Sequence, residues 1–136
     1  MKGLPSGGPF VLEAQVDMAR VTGIGGLFFR AENPAALQAW YARWFDMPEG
    51  GLPWSQDAGP TVFAPFAAAT EYFPADHQYM LNLRVEGLVD MIAGFQAAGI
   101  AVETRADWDG DGSYGHFARV HDPEGNPIEL WQPPVN

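Results

Sequence analysis

The side chains best suited to acid–base chemistry lie near the C-terminal end of the chain, in two neighbouring strand candidates. Glu129 falls within the segment 127–132, and Arg119 and His121 fall within the segment 115–122. A carboxylate on a concave strand surface can serve as a general base, and His121 is the side chain placed to act as its acid–base partner. Alternatively, Glu129 forms an ion pair with Arg119 across the hairpin, which would keep the carboxylate ionised and catalytically inert.

Alternation within the strand candidates sorts their side chains onto two faces, since successive residues of a strand point to opposite sides. One set is uniformly apolar and is expected to pack against helices; it comprises Leu27, Phe29, Leu81, Leu83, Val85, Ile128 and Leu130. The residues at the intervening positions point to the opposite face and are chemically mixed, which indicates that this face meets a ligand or a partner. If the last hairpin turns about Glu124, residue 119 lies opposite 129, and residue 117 lies opposite 131.

The mixed face combines aromatic rings with a few polar groups, a combination typical of small-molecule sites. The predicted pocket residues are Phe28, Trp54, Phe63, Met80, Asn82, Phe117, Arg119, Glu129 and Trp131. The alternative for this face is a dimer interface, because exposed aromatic area on a sheet also drives association. If the chain is an enzyme, the predicted catalytic residues are Glu129 and His121.

Two helices and several strands are predicted to position these side chains. Asn33-Pro34 supplies a favourable N-cap and first helical residue, and an apolar stripe at positions 37, 40, 41, 44 and 45 predicts a helix. A second stripe at positions 88, 91, 92 and 95 predicts another helix, ended by Gly99. Strands are predicted at 26–31, 52–56, 60–66, 79–86, 100–105, 115–122 and 127–132, with a turn at 122–126.

This pattern of strand, helix and further strands occurs twice along the chain. When the sequence is shifted by 54 positions, 26–32 aligns with 80–86, Arg30 meets Arg84, and the two helix stripes superpose. A repeat of this size predicts two βαβββ modules, about 21–75 and 76–133, within a single domain over 21–136. Residues 1–20 begin with a segment rich in Gly and Pro and are expected to form a loosely ordered N-terminal extension.

The residues at the two ends of this predicted domain resemble a known superfamily. The opening segment 22–34 with Trp40-Tyr41, and the ending Asp122-Pro-Glu-Gly-Asn-Pro-Ile-Glu-Leu-Trp131, are similar to the vicinal oxygen chelate superfamily of glyoxalases, bleomycin resistance proteins and extradiol dioxygenases. The resemblance covers about 21–133. It implies an α+β fold in which two βαβββ modules form a cup-shaped mixed sheet, with helices on the outer face, and it implies a homodimer.

The metal ligands that the resemblance implies are mostly missing from this sequence. The usual set is a His in the first strand, a ligand late in the first module, a His opening the second module, and a Glu in the last strand. Gly26 and Met80 occupy the two His positions, the segment 61–69 contains no His, Asp or Glu, and only Glu129 matches. Because a catalytic metal usually needs about three protein ligands, no cofactor is expected. The alternative is a divalent metal recruited through Glu129.

Composition and charge restrict the partners of the chain. Its 136 residues are 47% hydrophobic and carry a formal charge of −10, so neither nucleic acid nor an anionic membrane is an expected partner. The absence of cysteine excludes disulfides and thiolate metal sites. Since the sequence has neither an apolar run of about 20 residues nor a signal-like start, a cytoplasmic protein is expected.

Together these features predict a small-molecule-binding protein of the glyoxalase/bleomycin-resistance type, without the usual metal centre. The expected ligand is a small, partly aromatic organic compound. The alternative is a lyase, isomerase or dioxygenase of the same superfamily that uses Glu129 as a metal ligand or general base.

Overall fold

The computed structural model of the protein describes residues 19–135. The chain divides into two units, Met1–Arg30 and Ala31–Asn136. The second unit contains helix α1 (Pro34–Phe45), strand β1 (Leu81–Arg84), helix α2 (Leu88–Ala97), the short helix α3 (Ala106–Asp109), strand β2 (His116–His121) and strand β3 (Pro127–Gln132). The described fold is therefore a mixture of helix and strand, as the sequence predicts for an α+β protein.

The three strands form one mixed sheet in the order β1-β3-β2. Strand β1 runs parallel to β3, and β2 runs antiparallel to it. Arg119 lies opposite Glu129 and Phe117 opposite Trp131, so the predicted register of the last hairpin is confirmed. On its other side, Glu129 is the register partner of Asn82 in β1.

The hydrophobic core lies between one face of this sheet and the helices α1 and α2. Its buried members are Leu37, Tyr41, Leu83, Leu88, Phe95, Ala118, Val120, Ile128 and Leu130. The strand residues among them have the parity that the sequence predicts for the helix-packing face. The two helices meet through stacked rings of Trp44 and Phe95, whose centroids are 4.9 Å apart. Phe95 is fully buried, and burial of a side chain of this size contributes about 2–3 kcal/mol.

The turn between β2 and β3 also fixes the start of helix α1. The carboxylate of Glu124 accepts hydrogen bonds from the backbone N–H groups of Glu32 (2.8 Å) and Asn33 (2.9 Å). The side chain of Asn33 then caps the helix by accepting a bond from the N–H of Ala36 (3.2 Å), and Pro34 begins the first turn. The turn predicted at 122–126 therefore links the sheet to a helix that is distant in sequence.

Asp122 connects the same turn to the buried side of helix α1. Its carboxylate accepts a 2.8 Å hydrogen bond from the hydroxyl of Tyr41, and both side chains are buried. Burial, together with the hydrogen bond and the charge of Asp122, raises the pKa of Tyr41 well above its usual value. The phenol of Tyr41 therefore remains protonated in the folded state and continues to donate at alkaline pH.

Substituting Tyr41→Phe is expected to lower the free energy of unfolding by about 1–2 kcal/mol at pH 7, because one buried hydrogen bond is lost. Because the pKa of Tyr41 is raised in the folded state, the contribution of Tyr41 to stability is fully present below pH 10, the ordinary tyrosine value. Above pH 10 the phenol ionises in the unfolded chain but not in the folded protein, so this contribution falls. The difference in stability between the two proteins should thus shrink above pH 10, by up to about 1.4 kcal/mol per pH unit. Urea unfolding at pH 7–11 measures this difference. A constant difference across that range would contradict the assignment.

Three of the predicted strands are irregular segments in the structure: 26–31, 52–56 and 60–66. A strand is stable only when its backbone pairs with a neighbour and its apolar face is covered. In these segments Leu27, Phe29 and Phe63 are exposed. The predicted strand 100–105 is reduced to a single bridge between Glu103 and Arg119.

The segment around residues 57–60 is held by a side chain and not by strand pairing. The guanidinium of Arg84 donates to the backbone carbonyl of Asp57 (2.6 Å) and to that of Pro60. A Cβ atom added at Gly59 would lie 2.8 Å from this guanidinium, so the close approach depends on glycine. The predicted N-terminal extension, 1–20, lies outside the described residues except for Ala19 and Arg20. In the described part of the chain, no helix has the length and hydrophobicity needed to cross a membrane.

Candidate functional site

Three polar side chains lie side by side on the sheet face that points away from the core. Asn82, Glu129 and Arg119 occupy paired positions on β1, β3 and β2. Glu129 stands on the central strand and is only 7% exposed. One of its carboxylate oxygens accepts a 2.7 Å hydrogen bond from the amide of Asn82, and the other accepts a hydrogen bond from the hydroxyl of Tyr72. The structure therefore brings together these three predicted site residues and adds a fourth.

Tyr72 reaches the site from the irregular segment that precedes β1. Its backbone N–H donates to the hydroxyl of Thr70 (3.2 Å), and its ring stacks on that of Phe66 at 5.6 Å. Burial is the largest cause that raises the pKa of Tyr72, followed by its hydrogen bond to Glu129 and the charge of Glu129, while Arg119 opposes the shift. Tyr72 is therefore a proton donor to Glu129 at neutral pH, and not an activated phenolate.

The guanidinium of Arg119 lies beside two aromatic rings that also meet each other edge to face, with their centroids 6.2 Å apart. Its central carbon is 5.1 Å from the ring centroid of Tyr72 and 4.9 Å from that of Trp108, distances at which cation–π attraction is effective. Arg119 is 7% exposed, and its Nε and Nη2 atoms are buried without a hydrogen-bond partner. Among residues 19–135, the ion pairs within 4.0 Å do not include Arg119 with Glu129, so the alternative of an inert pair across the hairpin is not formed.

Trp108 is positioned by the short helix α3. The carboxylate of Asp109 accepts a hydrogen bond from the N–H of Phe117 (3.0 Å) and contacts the imidazole of His116 at 2.9 Å. These contacts join the end of α3 to the start of β2, which places the indole of Trp108 over Arg119. Sequence reasoning missed both Trp108 and Tyr72, because they lie outside the strands and no spacing rule relates them to the sheet.

An open pocket with a volume of about 370 Å³ lies against this group of side chains. Arg119 forms part of its wall, and the rest comes from the segment that carries Tyr72. The lining residues are Thr70, Glu71, Phe73, Pro74, Ala75 and Arg119. The pocket therefore combines small side chains and one aromatic ring with one cationic and one acidic residue.

The aromatic pair predicted on the mixed face is present beside the polar residues. The rings of Phe117 and Trp131 stack at 6.4 Å with an interplanar angle of 8°. The indole N–H of Trp131 donates to the backbone carbonyl of Tyr114 (2.7 Å), which fixes the orientation of the ring. Met80 is half-buried directly before β1.

Other predicted site residues lie in exposed positions. Phe28 is 99% exposed within the first unit, and Trp54 and Phe63 are 45% and 87% exposed in the irregular chain between α1 and β1. His121 is exposed at the end of β2, opposite Pro127. The three aromatic residues were predicted from strand parity or residue type, and parity is informative only where a strand forms. His121 lies in a strand that does form, but at its exposed end.

Acidic and histidine side chains form pairs in the described part of the chain, but no larger group suited to a metal ion. Within residues 19–135, no group of three or more His, Asp or Glu side chains is arranged so that it could hold a metal ion. The chain has no match among protein-family models, among curated proteins or among solved structures.

Proposed function

We propose that this chain is a small-molecule-binding protein of the glyoxalase/bleomycin-resistance type, without the usual metal centre, whose ligand is a small, partly aromatic organic compound. The observation that carries the proposal is the buried guanidinium of Arg119, packed beside two aromatic rings at the wall of an open pocket. Specific small-molecule sites commonly combine apolar walls with a few oriented polar groups. Glu129, with Asn82 and Tyr72 bound to its two oxygens, orients the polar side of this site.

The proposal includes the finer architecture that the resemblance implies. Two βαβββ modules would form a cup, and the internal offset of 54 residues supports this arrangement. Exposed apolar side chains before β1 support a homodimer, since a second copy would cover them. These side chains are Leu52, Val62, Phe63 and Phe66.

Binding can be tested by ligand-observed NMR with a set of small aromatic compounds. We expect several compounds to bind the wild-type protein. Substituting Trp108→Ala should weaken their binding about fivefold, because one ring of the site is lost. Trp54→Ala is the matched control, since Trp54 is a half-exposed indole in the irregular segment, and it should change affinity by less than twofold. If no aromatic compound binds the wild type, the proposed function is wrong.

A second candidate function is supported by the hydrogen bond between Tyr72 and Glu129. A buried carboxylate that accepts a hydrogen bond from a phenol is suited to general acid–base catalysis. The chain would then be a lyase, isomerase or dioxygenase of the same superfamily, with Glu129 as general base or as a metal ligand. In that case Glu129→Gln abolishes turnover while leaving ligand affinity nearly unchanged, whereas a binding protein shows no turnover in either form.

A further inference from the structure

The guanidinium of Arg119 has one buried edge whose two donors lack a partner among the described residues. Its Nε and Nη2 atoms each expose less than 1 Å² and make no hydrogen bond within the described residues. In a planar guanidinium, the N–H of Nε and one N–H of Nη2 point in the same direction, with the spacing of two carboxylate oxygens. Because a buried donor without a partner is destabilising, a bidentate acceptor at this edge would stabilise the protein.

The surrounding charges limit which anion fits this edge. Arg119 is the register partner of Glu129, and the acidic Glu71 lines the same pocket, so two carboxylates lie near one cation. The chain as a whole carries a formal charge of −10. A phosphate dianion would be repelled more strongly than a singly charged carboxylate, because the repulsion grows with the charge of the ligand.

The surrounding rings limit which organic group accompanies the anion. The rings of Tyr72 and Trp108 both lie beside the guanidinium and contact each other, and Phe73 belongs to the pocket wall. Aromatic rings pack on one another with favourable offset or edge-to-face contacts. A ligand whose carboxylate meets Arg119 would place its own ring against these side chains.

We propose that the ligand is an aromatic monocarboxylate, held by a bidentate contact from Nε and Nη2 of Arg119. This inference rests on the proposed function and names the ligand class of that same site. It also gives Arg119 a role that Lys cannot fulfil, since an ammonium group is a point charge without a planar pair of donors.

Isothermal titration calorimetry with benzoate, benzamide and inorganic phosphate tests the ligand class on the wild-type protein. Benzoate is expected to bind at least tenfold more tightly than benzamide, which has the same ring without the charge, and more tightly than phosphate. Equal affinity for benzoate and benzamide, or tighter binding of phosphate, would overturn the inference. If benzamide binds and benzoate does not, the inference fails while the proposed function stands. If no probe binds, both fail.

Two variants then test the residue. Arg119→Lys should weaken benzoate binding at least tenfold while leaving the affinity for benzamide within about twofold, because only the carboxylate contact is lost. Arg105→Lys is the matched control, since Arg105 is an exposed arginine that lies over the same Trp108 ring at 5.6 Å, and it should change neither affinity. Unchanged benzoate affinity in Arg119→Lys, or an equal loss for both probes, would overturn the assignment. Should Arg119→Lys not fold, the comparison of benzoate with benzamide on the wild type still decides the proposal.

Discussion

Replacing Asp122 with alanine is expected to lower the free energy of unfolding by about 3–5 kcal/mol. Asp122 is 4% exposed and accepts four hydrogen bonds. One oxygen accepts from the backbone N–H groups of Glu124 (2.9 Å) and Asn126 (3.0 Å), and the other accepts from the Tyr41 hydroxyl and the Asn126 amide, both at 2.8 Å. The substitution leaves the buried Tyr41 hydroxyl without its acceptor and releases the turn that holds the start of helix α1.

Urea unfolding at pH 7 measures this loss of stability. Asp76→Ala is the matched control, because Asp76 is exposed and, within residues 19–135, its carboxylate pairs with the neighbouring His77 at 2.9 Å. An exposed pair of this kind contributes little, so the control should stay within about 0.5 kcal/mol of the wild type. If Asp122→Ala were as stable as Asp76→Ala, the turn would not have the structural role assigned to it.

Substituting Gly115→Ala is expected to destabilise the fold by about 4 kcal/mol or to prevent folding altogether. Gly115 is buried directly before β2 and adopts a φ of +100°, which side-chain-bearing residues rarely adopt. A Cβ atom at this position would lie 2.1 Å from the backbone carbonyl oxygen of Gln132. Since that obstacle is the backbone at the end of β3, only separation of the two strands can relieve the overlap.

Gly94→Ala provides the control for this glycine substitution. Gly94 lies within α2, and an added Cβ would meet no atom within 4 Å. Alanine favours helix over glycine, so this variant should gain about 0.5–1 kcal/mol. Thermal unfolding followed by circular dichroism compares the two variants. A Gly115→Ala protein with wild-type stability would show that the β2–β3 hairpin does not close as described.

The elements that sequence patterns predicted well are those with local signals or a covered face. Asn33 and Pro34 mark the start of α1 in the structure. The alternation through Ile128 and Leu130 predicted the core face, and a hairpin turning about Glu124 predicted the register. Residues 26–31 and 60–66 have similar apolar patterns but form no strand in the structure. Strand formation depends on a partner edge, which a pattern within one segment does not contain.

The candidate site was only partly predictable for a related reason. Glu129, Arg119 and Asn82 share a face because strand parity and register fix their positions. Tyr72 and Trp108 reach that face from an irregular segment and a single-turn helix, so their placement depends on contacts such as the hydrogen bond from Phe117 to Asp109. Such tertiary contacts leave no periodic signal in the sequence.

The hairpin of β2 and β3 thus has three separate roles within one short stretch of sequence. Its apolar face supplies the centre of the core, and its turn holds helix α1. Its opposite face presents Arg119 and Glu129 beside the pocket. Because the core and the turn fix the backbone, the polar side chains of the opposite face are held in a defined arrangement. A preorganised site of this kind loses little conformational entropy on binding.

The most direct test of the central claim is a nitrogen–proton NMR correlation experiment that includes the arginine Nε and tryptophan indole signals. Benzoate, benzamide or another small aromatic compound that binds is titrated into the protein. We expect the largest shift changes at the side-chain signals of Arg119 and Trp108 and at the backbone N–H of Tyr72. Shift changes centred on Trp54 and Phe63, with Arg119 and Trp108 unaffected, would contradict the account.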